Sequence, residues 1–303
     1  MIPIRNSDLQ ILANEHLEAI NQHLNNSRTK FTYDDINQWF RSNGSKLSFQ
    51  EVILADMGQL PKIKNAYQAS SITDEIKYIR DNLYSAYFAN SSKFLIDTEY
   101  NAAKLVQKLG IVVCPYCNRN FINNVTYSNR GLKRTSQMDH YFCKEKYPFL
   151  AMSFYNLIPS CPSCNHIKSN KRVYLSPYDT RFNPSDLVNF NFRIKSIDFI
   201  QDESQLEITL TSLNKRINSN IGTFKLESQY QIHNDIAQEL IKKMLIYPET
   251  KLNEIRTDFN ELFINEDELK RTIFGNYLNE NDFHKRPLAK FMSDIYRSIN
   301  NLT

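Results

Sequence analysis

The chain of 303 residues carries 37 Lys and Arg against 33 Asp and Glu, a net charge of +4, and only five cysteines. That length allows a sizeable core and predicts one to three domains, while the weak basic excess permits a nucleic-acid partner without demanding one. No run approaches the ~18 apolar residues of a membrane helix, and the opening "MIPIRNSDLQ" lacks the basic-then-apolar pattern of a secretory signal, so a cytoplasmic protein with no membrane partner is expected.

Residues 8–24 place Leu9, Leu12, Ala13, Leu17, Ile20 and Leu24 on one helical stripe. In "TYDDINQWF", Thr32 is set to cap a second helix, with Asp35 three residues on. A third segment runs from Ser48 towards Leu60, where Pro61 argues for its end. Two longer helices follow in "SSITDEIKYIRDNLYSAYFA" and "SKFLIDTEYNAAKLVQKLG", the second closed by Gly110.

From Ile111 the helical period is lost. Val125 and Tyr127 alternate, residues 129–131 read as a turn, and residues 137–142 return as the second strand of a hairpin. The apolar "YPFLAMSFYNLIPSCP" supplies a helical turn or two under that hairpin, and "NHIKSNKR" a short helix or loop. Phe190, Phe192 and Ile194 alternate, as do Leu206, Ile208 and Leu210, which predicts a second hairpin. Helices return over residues 225–247, over residues 252–263 and after Pro287. The fold class is α+β and mainly helical: a helical region 1–110, a central module 111–178, and a region 179–303 with a short hairpin followed by helices.

Four of the five cysteines form two C-x-x-C pairs, Cys114 with Cys117 and Cys161 with Cys164. A redox pair, unconnected core cysteines and a metal site are the alternatives. A redox motif does not account for the second copy, and disulfides are rare in a reducing compartment, so the doubled spacing favours tetrahedral Zn. Four thiolates leave no open position on the ion, which makes it structural. Cys143 reads as a small buried hydrophobe. Between Arg130 and Arg172 stand eight Lys or Arg and two acids, Asp139 and Glu145, so the positive charge gathers around the cysteines.

Catalytic chemistry is therefore sought between the pairs. Asp139 and His140 are adjacent there; Asp offers a hard oxygen to a divalent ion, and His, with an ordinary pKa of ~6.5, can take a proton from water near neutrality. A solvated or hydrogen-bonded structural role for either residue is the plainer alternative.

With "DH" at 139–140, "NL" at 156–157 and "CPSCNHIK" at 161–168, the sequence resembles the HNH nucleases, whose site is a beta-beta-alpha-metal module. The stretches "CPYCNRNF", "DHYFCKEKYPFLAMSFYNLIPSCPSCN" and "RPLAKFMSDIY" are similar, more narrowly, to the PtuB-like HNH subunits of Septu and retron-associated antiphage systems. The resemblance implies a Zn-stapled module of that type at the centre of the chain, with Cys114, Cys117, Cys161 and Cys164 as the structural Zn ligands. It makes His140 the general base, Asp139 a ligand of a catalytic Mg or Mn, Asn165 the second ligand, and Asn156 the residue that holds the His140 loop. Arg119, Lys168, Lys171 and Arg172 become phosphate contacts. Cys143 stands where the family commonly has Pro. His166, one residue beyond Asn165, is the alternative metal ligand.

The function implied is a metal-dependent endonuclease acting in antiphage defence on nucleic acid, DNA favoured over RNA, with a partner ATPase of the ABC type (PtuA-like) and a retron RNA–DNA complex as a further partner. An RNA-cleaving (tRNA-cleaving) HNH nuclease and a nonenzymatic zinc-containing nucleic-acid-binding module are the alternatives. Residues 287–303 are expected to help dock the ATPase.

Overall fold

The computed structural model describes every residue except 27, 91–99, 128–130, 182–187, 213 and 302–303. The fold is mixed α+β and predominantly helical. The chain divides into two compact units, neither of them a continuous stretch: residues 4–111 with 122–179, and residues 1–3 with 112–121 and 180–303.

The first unit opens with the helix Leu9–Leu24, whose buried face includes Leu12, Ala13, His16, Leu17, Ile20 and Leu24. Thr32 caps Tyr33–Ser42 in a reciprocal capping box with Asp35, and Ser48 does the same for Phe49–Leu54 with Glu51. The third segment does not run on to Leu60. It stops at Leu54, and Pro61 lies in the first turn of a separate helix, Leu60–Tyr67, where a missing N–H costs nothing. Phe40 and Phe49 stack at 5.3 Å between centroids beneath Tyr67, whose hydroxyl donates to the Phe40 carbonyl. Asp74–Tyr78 continues into a π-helical stretch, Ile79–Phe88. Of the helix expected next, residues 91–99 lie outside the described residues; Ala102–Leu109 is present, capped by Asn101 and ended by Gly110 at φ +70°.

Four short strands follow, and their pairing departs from the expected hairpin. β1 (Asn124–Tyr127) pairs with β2 (Gly131–Arg134), while β3 (Gln137–His140) pairs antiparallel with β4 (Leu157–Ser160), Asp139 opposite Ile158 and His140 opposite Leu157. The immediate return of residues 131–134 uses up the partner of β1, so β3 must find its neighbour beyond the apolar segment, which forms short 3-10 turns at Pro148–Leu150 and Phe154–Asn156. Pro159 sits inside β4 rather than ending the segment, tolerated because a two-stranded sheet leaves one edge free of ladder bonds. The helix Pro162–Lys168 comes directly after β4.

In the second unit, β5 (Asn189–Ile194) and β6 (Leu206–Thr211) pair as the alternation predicts, Phe192 opposite Ile208. The helix expected over 225–247 breaks into Leu226–Tyr230 and Asn234–Ile246 at an intervening 3-10 turn, Gln231–His233, and left-handed Lys225 at φ +53° divides it from a further helix, Lys215–Phe224. The terminal helix Ala289–Asn300 buries Phe291, Met292 and Ile295, and Ile2, Val113, Phe283 and Ala289 form a core cluster next to it. The inner face of Ala289–Asn300 is thus part of a core.

His16 is wholly buried in the first unit, its Nε2 2.9 Å from the Met152 carbonyl and its Nδ1 3.2 Å from the Tyr100 hydroxyl. A carbonyl only accepts, so Nε2 carries the hydrogen and the tyrosine donates to Nδ1. Burial pushes the imidazole pKa down to about 4. As the folded value lies below the unfolded one, the unfolded chain takes up this proton first. The stability from neutral His16 is complete above pH ~6.5 and is lost as pH falls towards about 4, on the order of 3 kcal/mol in all. Urea denaturation at a series of pH values should show a shallower loss of stability between those limits for His16→Gln than for the parent.

Candidate functional site

Each C-x-x-C pair is shaped by its own backbone. After Cys114 the chain turns back so that the Asn118 N–H donates to the Cys114 carbonyl at 2.7 Å, and Asn118 takes a left-handed φ of +54°. That conformation aims the Arg119 N–H at the Cys117 Sγ, 3.4 Å away. Cys161 is the N-cap of Pro162–Lys168 and its sulfur accepts from the Cys164 N–H. The four sulfurs lie within 4.8 Å of one another and all four cysteines are buried. A tetrahedral ion with Zn–S bonds of ~2.3 Å has S···S edges of ~3.8 Å, so this donor set fits Zn with a small contraction, and backbone N–H donors at Cys117 and Cys161 suit thiolates. A four-cysteine cluster able to hold a structural metal ion is thus present.

Asn118 does more than turn the knuckle, and the sequence reading missed it. Wholly buried, it donates from Nδ2 to the Phe283 carbonyl at 2.9 Å and accepts at Oδ1 from the Lys290 N–H at 3.0 Å. The terminal helix starts at a left-handed Leu288 with no side-chain cap of its own, so Asn118 satisfies one of its first amides from outside the helix. The only signal in the sequence is an Asn directly after C-x-x-C, a residue type that tolerates left-handed backbone.

In the first unit, Asp139 and His140 end β3 and line a cavity of about 310 Å3 with Lys144, Asn165, His166 and Asn170. His140 is 5% exposed, its Nε2 3.0 Å from the Ala151 carbonyl. The same reasoning as for His16 puts the hydrogen on Nε2 and leaves Nδ1 as an acceptor. The Tyr84 ring packs edge-on at 4.4 Å between centroids, and the Tyr84 hydroxyl donates to the Met138 carbonyl. Burial, with Lys144 and Lys168 adding to it, pushes the His140 pKa down to about 3, so the ring is neutral at pH 7.

Asn156 is wholly buried. Its Oδ1 accepts from the Phe142 N–H at 2.7 Å, and its Nδ2 donates to the carbonyls of Phe142 and Leu150. It holds both ends of the loop that carries the Ala151 carbonyl. Asn165 is half-buried and donates to the Gln137 side chain at 2.6 Å, which leaves its amide oxygen without a partner among the described residues. His166 is exposed on the same cavity.

The four basic residues expected at phosphate are placed differently from one another. Lys168 is 1% exposed and bonds Asp139 Oδ1 at 3.0 Å and the His140 carbonyl at 2.7 Å, so it braces the end of β3 instead of presenting charge to solvent. Arg119 reaches His233 at 3.0 Å and Gln229 at 2.6 Å in the second unit. Lys171 and Arg172 are exposed. Cys143 is half-buried, its thiol donating to Asn170 at 2.9 Å.

A hard-cation site at Asp139 has fewer donors than the four-cysteine cluster. Among the described residues no second group of three His, Cys, Asp or Glu side chains converges, and Lys168 already shares the Asp139 carboxylate. Mg commonly binds through one or two protein oxygens and completes its shell with water and substrate phosphate; Asp139 and Asn165 line one cavity. Comparison of the chain with protein-family models, with curated proteins and with solved structures finds no match.

Two outcomes test the metal centre. Elemental analysis should find one Zn per chain, and Cys161→Ser should lower that content and the thermal midpoint together. Asn118→Gly keeps the left-handed backbone but leaves a buried amide and carbonyl unpaired, so it should cost about 2 kcal/mol, and Asn118→Ala about 3 kcal/mol, in denaturant unfolding.

Proposed function

We propose that the chain is a zinc-stapled module that binds nucleic acid. The four-cysteine cluster and the exposed Lys171 and Arg172 support this reading, which needs no catalytic group. We propose further that the module hydrolyses phosphodiester bonds as an HNH-type endonuclease. One observation carries this second step: the Ala151 carbonyl fixes the Nε2–H tautomer of a neutral His140 on the wall of a cavity, with Asp139 beside it. Unlike His16, whose Nδ1 accepts from Tyr100, His140 lines a cavity. The order β3, β4, helix Pro162–Lys168 also agrees with the beta-beta-alpha arrangement that the resemblance implies.

In this mechanism the Nδ1 of His140 takes the proton of a water molecule as its oxygen attacks phosphorus, the opposite ester P–O bond breaks, and the leaving oxygen takes a proton from solvent. Asp139 and the Asn165 amide oxygen would hold Mg or Mn, which when bound offsets charge on the phosphate and the leaving oxygen. Asn156 keeps the imidazole in place through the 142–150 loop, a positioning role where errors of ~1 Å are costly. Lys168 holds the Asp139 carboxylate. The antiphage setting and the ABC-type ATPase partner belong to the same proposal; exposed Leu262 and Ile264 in the acid-rich segment of the second unit are surface such a partner could cover.

The test is incubation with Mg or Mn, with and without the partner ATPase, on duplex DNA, single-stranded DNA and RNA. His140→Ala should lose at least ~100-fold in cleavage rate while retaining parental Zn content, with stability lowered by roughly 2 kcal/mol for the unpaired Ala151 carbonyl. Cleavage at the parental rate would remove His140 from the mechanism. No cleavage of any polymer, with binding retained, would leave the binding module as the function.

A further inference from the structure

A second cavity of about 260 Å3 lies in the first unit, and it shares Cys143 and Asn170 with the Asp139–His140 cavity. Its lining includes four cations, Lys64, Lys146, Lys171 and Arg172, the aromatic rings of Phe142 and Tyr147, and no carboxylate. Among the described residues no ion pair forms at Lys64, Lys146 or Lys171, whereas Lys144 and Arg80 near the other cavity are paired with Glu145. The Lys64 ammonium stands 5.7 Å from the Phe142 ring centroid and 5.5 Å from that of Tyr147. Lys64, Lys146 and Lys171, unpaired with any acid in the described residues and close together, favour an anion among them. Two half-exposed rings beside them offer a flat apolar face that a phosphate alone would not use.

We propose that this cavity is a subsite for an unpaired nucleotide of the substrate strand, adjoining the bond to be cut: the cations hold its phosphate and Phe142 with Tyr147 take its base. The volume falls below the roughly 300–1,000 Å3 of drug-sized ligand sites and suits one base rather than a paired step. A base within a duplex is stacked and paired, and its face is not free to stack on a side-chain ring. The subsite therefore selects single strands, loops or flipped nucleotides over regular duplex, for DNA and RNA alike. This inference rests on the nucleic-acid reading above, and adds to it the conformation of the substrate.

Fluorescence anisotropy on the His140→Ala background isolates binding from cutting. Labelled single-stranded DNA, single-stranded RNA and blunt duplex DNA of equal length are titrated at two salt concentrations. The single strands should bind more tightly than the duplex. Phe142→Leu should weaken single-strand binding by about tenfold with duplex binding unchanged, since one base–aromatic stack is worth ~1–3 kcal/mol. Lys146→Gln, at an exposed side chain, should weaken binding and reduce the salt slope by about one. Equal affinity for duplex and single strand, variants that bind as the parent does, or no binding of any polymer would each overturn the subsite. With His140 restored, parental cleavage by both pocket variants would sink the subsite and leave the nuclease standing. Pocket-dependent single-strand binding without any cleavage would sink hydrolysis and leave the subsite standing.

Discussion

Three hydrogen bonds from one buried amide determine the geometry of the candidate site. Between β3 and β4 the chain makes a long excursion with no regular ladder, and such backbone carries many polar groups that burial would leave unpaired. Asn156 accepts from the Phe142 amide and donates to the carbonyls of Phe142 and Leu150, acting as a piece of strand where no strand exists. The loop so fixed presents Ala151 to His140, and Phe142 and Tyr147 to the second cavity. Asn118 works on the same principle in the other unit, where its amide spans Phe283 and Lys290.

Buried charge is handled with equal economy. Lys168 and Asp139 form a pair 3.0 Å apart, both nearly inaccessible, and the lysine's bond to the His140 carbonyl satisfies another of its protons. Pairs of this kind add little net stability when intact, but removing one partner strands a buried charge and costs several kcal/mol. Asp139 is thereby held in place, while the positive charge of Lys168 contributes to keeping His140 neutral. The pair also sets a limit: any cation brought to Asp139 must share the carboxylate with an ammonium.

Local features are legible in the sequence and distant ones are not. Capping at Thr32 with Asp35 and the left-handed stop at Gly110 depend on residues a few positions apart, and the β5–β6 alternation has period two, so each can be read directly. The two C-x-x-C pairs are readable as one metal site because a repeated spacing is itself evidence of a shared ion. The partner of β3 is not legible, since β1 and β4 are both apolar enough to pair with it and the choice depends on where residues 131–134 fold back. Pro61 reads as a stop although the same missing N–H suits a first turn. Lys168 looks like surface charge because burial of a lysine depends on a carboxylate 29 residues away. At Gln231–His233 a 3-10 turn with neither Gly nor Pro divides what periodicity joins.

The π-helical stretch Ile79–Phe88 has a consequence for how this chain can vary in length. Its hydrogen bonds span five residues, as from the Ala89 N–H to the Tyr84 carbonyl, one more than an α-helix uses. Loss of a single residue here would let the turn relax to the ordinary pitch, a local gain in helix geometry. Yet it would also swing Tyr84 around the axis, away from the Met138 carbonyl and the edge of the His140 ring. The segment is thus a place where an indel that improves the helix degrades the site, and the wide turn persists only as long as something selects for Tyr84 where it stands.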